Sequence, residues 1–148
     1  MFLVAATLLV AACSSGGGAT TGPAAPGSSA PAASASVTRT EVNLTDGLRI
    51  EPRAMTVPAG VPVTFMITNR GATDHEFYLG DEEAQGAHEK EMVEMGGMGH
   101  DEPQGIPVKP GQTRELTYTF SEPGETLAGC HVAGHYGGGM RATIVVSG

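Results

Sequence analysis

The sequence predicts an all-β protein: a Greek-key β-sandwich of seven to eight strands over residues 37–148, carrying one loop insertion rich in methionine and histidine. Two observations lead there. Every apolar run after residue 36 is short, rich in β-branched or aromatic residues and bounded by Gly, Pro, Asn or Asp, which is the pattern of strands between turns. No stretch has a convincing long helical period. Length agrees, since a sandwich core commonly needs about 100 residues and residues 37–148 supply them.

The strands follow in order. Val37–Leu44 alternates loosely and stops at an Asp46-Gly47 turn. Leu48–Glu51 and Met55–Val57 are separated by Pro52, and Pro58-Ala59-Gly60 punctuates the next boundary. Val61–Thr68 is the clearest strand, with Val63, Phe65 and Ile67 on one face and Thr64 and Thr68 on the other. Glu76–Leu79 reads as a short strand. Gln112–Phe120 places Leu116, Tyr118 and Phe120 at period two, Pro123-Gly124 turns the chain into Glu125–Cys130, and Arg141–Val146 closes the domain. No internal repeat is visible.

The N-terminal segment has a different composition. Residues 1–37 hold no Asp, Glu, Lys or Arg, so the formal net charge of -8 belongs to residues 38–148. Phe2–Ala12 is an apolar run shorter than the roughly 20 residues a membrane span needs, and it reads as the core of a signal peptide over residues 1–12. It ends in Val10-Ala11-Ala12-Cys13, which resembles a bacterial lipoprotein box and implies cleavage before Cys13 and lipidation of its sulfur. An ordinary secretory signal with an incidental cysteine is the alternative. A Cys13–Cys130 disulfide is the weakest option, because it would consume the one soft thiolate beside the histidines. Residues 13–36 are otherwise Ser, Gly, Ala, Thr and Pro, a composition that makes a flexible tether. The acidic domain has no basic patch, which argues against nucleic acid as a partner. The charge suits a basic redox partner, or simply solubility.

The densest chemistry lies in Cys130-His131-Val132-Ala133-Gly134-His135-Tyr136-Gly137-Gly138-Gly139-Met140. A thiolate, an imidazole and a thioether at spacing five share one glycine-rich loop. With one further histidine they make the donor set of a type 1 (blue) copper site: two imidazoles, one thiolate and a weak axial methionine. Cys130 alone would read as a small buried hydrophobe, His135 as a surface histidine and Met140 as core packing. Their shared loop favours the ligand reading, least firmly for Met140. The second histidine is His75, in Thr73-Asp74-His75-Glu76-Phe77, with His88, His100 and His131 as competitors. His131 ranks second, because adjacent loop residues rarely point at one metal.

On these motifs residues 37–148 resemble the cupredoxins, the blue-copper family of plastocyanin, azurin, auracyanin and rusticyanin. The Cys-x4-His-x4-Met loop is most similar to the longer-loop members, auracyanin and rusticyanin, and Val57–Phe65 resembles the segment before the first histidine. The resemblance implies one type 1 copper on His75, Cys130, His135 and Met140, and electron exchange through the exposed edge of His135. Many members place Asn or Ser after the first histidine to tie the two ligand loops together. Here that residue is Glu76, so the tie is expected to be made differently.

The insertion, about Asp81 to Gln104, holds His88, Met92, Met95, Met98 and His100 among acidic residues and glycines. Thioethers select Cu(I), so these residues suit an auxiliary cuprous site. An acidic loop or short helix whose methionines fill gaps at the sandwich edge is an equal alternative. Zinc fits less well, because the insertion offers no cysteine.

The function expected first is a membrane-tethered, extracytoplasmic one-electron carrier with a redox partner protein. The alternative is a copper-handling or copper-tolerance protein that passes copper to a trafficking partner through the Met/His-rich segment. An enzyme is remote, since five histidines in one small domain do not furnish the further clusters of multicopper catalysts.

Overall fold

The computed structural model describes residues 38–97 and 99–148. The signal, tether and lipidation readings over residues 1–37, and Met98, lie outside the described residues. The described residues form nine strands and one helix: β1 (Thr38–Thr45), β2 (Arg49–Glu51), β3 (Ala54–Pro58), β4 (Pro62–Asn69), β5 (His75–Gly80), α1 (Glu82–Glu94), β6 (Gly105–Val108), β7 (Thr113–Thr119), β8 (Gly124–Gly129) and β9 (Arg141–Ser147). They make a four-stranded sheet, β2-β1-β4-β7, and a five-stranded sheet, β3-β9-β8-β5-β6. The pairs β1–β4 and β3–β9 are parallel and the rest antiparallel.

One hydrophobic core joins the sheets. Val63, Phe65 and Ile67 of β4 turn inward with Val42, Leu44 and Leu116, and meet Phe77, Leu79, Ile144 and Val146 of the other sheet. Phe65 lies at its centre, with ring centroids 5.3 Å from Phe77 and 6.4 Å from Phe120. Period-two burial places every second side chain of a strand in this core, as the sequence predicts for β4. Thr64, expected to face solvent, is buried as well and hydrogen-bonds Thr117 across the β4–β7 pair at 2.9 Å.

One strand is added to the expected seven or eight, and the insertion takes the short-helix alternative. β6 is a four-residue edge strand paired with β5, His75 opposite Val108. Its Pro107 breaks the usual strand pattern, and only an edge tolerates it. The insertion also folds into α1, thirteen residues long. Asp81 caps it, accepting the Ala84 N–H at 2.9 Å, and Glu82 and Glu83 sit in the first turn where the helix dipole favours negative charge. After Met95, Gly96 and Gly97 take positive φ and close the C-terminus, the Gly97 N–H returning to the Met92 carbonyl at 2.7 Å. The buried residues Gln85, His88 and Met92 share one helical face. Two of the three are polar, so the helix carries no apolar stripe for a sequence reading to detect.

Candidate metal centre

Three predicted donors meet at one end of the sandwich. His75 begins β5, Cys130 follows β8, and His135 lies in the loop that returns through Met140 to β9. The His75 Nδ1 and His135 Nδ1 atoms are 3.3 Å apart, with the Cys130 Sγ 3.8 Å from the first and 3.4 Å from the second. His75 and Cys130 are buried and His135 is half-buried. Met140 is fully buried at the end of the same loop. Its N–H donates to the His135 carbonyl at 3.0 Å, and its carbonyl accepts the Cys130 N–H at 3.2 Å.

Local chemistry fixes this arrangement. Gly134 and Gly139 take left-handed backbone (φ 81° and 91°), which lets the loop fold back on itself. On the other side, the Asp46 carboxylate in the β1–β2 turn accepts the Ala72 N–H at 2.7 Å and the Thr73 hydroxyl at 2.7 Å, bracing the loop before His75. These bonds hold the Asp46 carboxyl down at about 2, the Ala72 N–H contributing most. The same carboxylate lies 3.5 Å from the outward His75 Nε2, an electrostatic contact that orients the ring.

Burial, the largest influence on each, lowers the pKa of both His75 and His135, while it pushes the Cys130 thiol up to about 12. Two neutral imidazoles and a buried sulfur that converge on one point fit a soft or borderline cation. Two ring nitrogens and one sulfur, with a methionine at the loop's end, make a donor set that suits copper. The apo-protein should therefore release about one proton per copper taken up near pH 7, from the thiol and not from the imidazoles. A pH-stat titration checks this, and release of two or more would mean that a histidine is protonated in the free site.

Glu76 makes the tie between the ligand loops. Its backbone N–H donates to the Cys130 Sγ at 3.3 Å, and its fully buried carboxylate accepts the His131 N–H through Oε2 at 3.3 Å. Its Oε1 meets the His88 Nε2 of α1 at 3.1 Å. His131, the second-choice ligand, points away from the donors. Its Nδ1 contacts Glu89 at 2.6 Å and its Nε2 the Gln85 Oε1 at 2.7 Å, and it stacks on Tyr136. Gln85 also reaches the Tyr78 carbonyl of β5 and the Leu127 carbonyl of β8. A Cβ on Gly129 would lie 2.3 Å from the Gln85 Oε1 and 2.9 Å from the Tyr136 ring, so Gln85 keeps its place only beside a glycine.

The insertion thus clamps the ligand loops. Gln85 and Glu89, which sequence reasoning missed, are its working residues. The Asp81 cap with the Gln85, His88 and Met92 spacing was the available signal. Of the residues proposed for an auxiliary cuprous site, His88 and Met92 face inward, Met95 caps α1 half-buried, His100 is exposed, and Met98 lies outside the described residues.

A cupredoxin-like domain model matches residues 3–146. The chain belongs to the cupredoxin-like family. This cupredoxin is 34% identical over 135 residues to the copper-resistant cuproprotein CopI of Pseudomonas aeruginosa, covering 72% of this chain and 74% of that protein. It is 34% identical over 105 residues to CopI of Rubrivivax gelatinosus, covering 71% of this chain and 64% of that one. Among solved structures, reduced auracyanin of Roseiflexus castenholzii superposes with TM-score 0.67 at 24% identity, over 77% of this chain and 99% of that one. Auracyanin A of Chloroflexus aurantiacus, described as a blue copper protein, gives 0.62 at 26%, over 74% and 98%.

Proposed function

We propose that this cupredoxin binds one type 1 copper through His75, Cys130, His135 and Met140 and serves extracytoplasmic copper handling, with single-electron exchange at the same centre. The convergence of the two Nδ1 atoms and the Cys130 Sγ carries the reading. Bound copper supplies a one-electron couple. The protein's part is to hold the donors still, through the Glu76 N–H group on the sulfur and the sandwich behind it. The half-buried His135 ring provides an edge through which a partner can exchange electrons.

Copper handling takes precedence over a plain carrier for two reasons. The curated relatives are copper-resistance cuproproteins. A cavity of about 220 Å³ beside His75 and Glu76 is also lined by Gly97 and Gly99, so the insertion that follows β5 reaches the centre. A deletion strain tests the choice: sensitivity to excess copper with normal respiration supports handling, and the reverse supports the carrier.

Replacing Met92, Met95 and Met98 together by Leu should leave the visible spectrum unchanged and cost less than about 1.5 kcal/mol per buried swap. Cuprous stoichiometry, read by chelator competition under reducing conditions, should fall from two toward one. A stoichiometry of one in both proteins would assign the methionines to packing. Anchoring through Cys13 belongs to the same proposal. Intact mass of the membrane fraction should show cleavage before Cys13 and an added lipid, and an unmodified Cys13 would remove the anchor.

A further inference from the structure

We propose that His88, Glu91 and Glu102 form a second metal site, on the outer side of the Glu76 clamp, for a borderline divalent cation such as Zn(II) or Cu(II). One ligand atom from each of these three residues lies within 4.8 Å of the others. The His88 side chain is 1% exposed, and its Nδ1 is buried without a hydrogen-bond partner among the described residues. That nitrogen faces the Glu102 Oε1 at 3.5 Å and the Glu91 Oε2 at 3.8 Å. The Glu102 Oε1 is buried and unpartnered in the same sense.

The orientation is imposed from behind. The Nε2 side of His88 is taken by the Glu76 carboxylate at 3.1 Å, an arrangement in which metal-binding histidines commonly donate their far N–H. In the neutral ring that proton sits on Nε2 and the Nδ1 lone pair points at two carboxylates, a convergence that a metal cation relieves in place of the second proton the ring takes up at lower pH. Tyr78 stacks on the His88 ring at 3.8 Å with 4° between planes, fixing its rotation. Gln104 donates to the other Glu102 oxygen at 3.2 Å, and Glu102 bridges to Gly105 through the backbone, so the carboxylate is also braced. His100 Nε2 lies 3.3 Å from the Glu102 Oε1 and can complete the set.

Glu91 and His100 are about half exposed, which gives an ion a way in from solvent. Imidazole and carboxylate donors suit Zn(II) and Cu(II), whereas Cu(I) prefers sulfur. This site shares His88 and His100 with the cuprous site read from the sequence but sets carboxylates in place of its thioethers, and so differs from it in metal class.

The test uses the full protein with one copper loaded, titrated with Zn(II) and counted by elemental analysis after buffer exchange. One zinc per chain should bind with the visible copper spectrum unchanged. The exposed-side variant Glu91→Gln/Glu102→Gln should bind that zinc at least about tenfold more weakly, the smaller end of the loss seen when even an outer partner is removed. Excess Cu(II) should displace the zinc one for one, as the affinity order of divalent metals requires. The same carboxylate changes in a Cys130→Ser background should also remove one zinc equivalent, which separates this inference from the copper reading of the first centre. Equal zinc affinity in wild type and variant would overturn the site. So would zinc that resists excess Cu(II), or His88 nitrogens that NMR shows doubly protonated and unmoved by zinc, because a proton would then fill the gap.

Discussion

Cys130→Ser is expected to abolish the intense thiolate-to-copper absorption and to weaken copper binding by more than about 100-fold, beyond what removing a supporting partner costs. The loss should be one of ligation and not of folding. Cys130 is fully buried in the core cluster, and the serine hydroxyl can still accept the Glu76 N–H that now reaches the sulfur. Burying that hydroxyl should cost no more than about 1–3 kcal/mol. Absorption and copper retention measured beside a denaturation curve separate the two effects. A folded variant with an undiminished visible band would remove Cys130 from the centre.

Glu76→Ala should be the most damaging change away from the donors. Its carboxylate and the His88 imidazole are each 1% exposed, and removing one partner of a buried pair typically costs about 3–5 kcal/mol. For a domain of this size that is a fall in melting temperature of more than about 10 °C. The His131 N–H loses its acceptor at the same time, so the visible spectrum should shift or broaden as the loop loosens. Glu76→Leu/His88→Leu should recover much of the stability, because it leaves no orphaned charge; a double variant as unstable as the single would show that the two groups are not paired.

The pair also sets a pH dependence. Burial lowers the His88 pKa, but the hydrogen bond to Glu76 and the surrounding carboxylates outweigh it and the net shift is upward. The folded value lies above the unfolded one near 6.5. The pair therefore stabilises fully below that pH, and its contribution fades as pH rises through the raised value. Urea denaturation of the apo-protein across pH 6–9 should show this slope in wild type and lose it in Glu76→Leu/His88→Leu.

The strands and three of the proposed copper donors were legible because each rests on local pattern. Phe65 and its neighbours alternate at period two, and Cys130, His135 and Met140 share one loop whose spacing constrains it. His75 needed the family resemblance to be chosen over His88, His100 and His131. β6 was hidden by its length and by Pro107, which only an edge position permits. α1 was legible only as one alternative, a loop or short helix, because its inward face is Gln85 and His88 and its reason to fold is hydrogen bonding to groups distant in sequence. The role of Glu76 was visible only as a departure from the family's usual residue. Its partners lie 12 and 55 positions away, and no local signal links them.

That helical clamp limits how such a centre can be transplanted. Moving the Cys130–Met140 loop and the His75-Glu76 pair into another sandwich would carry all four proposed donors but strand the buried Glu76 carboxylate and the buried His131 imidazole. The glutamate and the helix segment from Gln85 to Glu89 therefore have to be moved together with the donors.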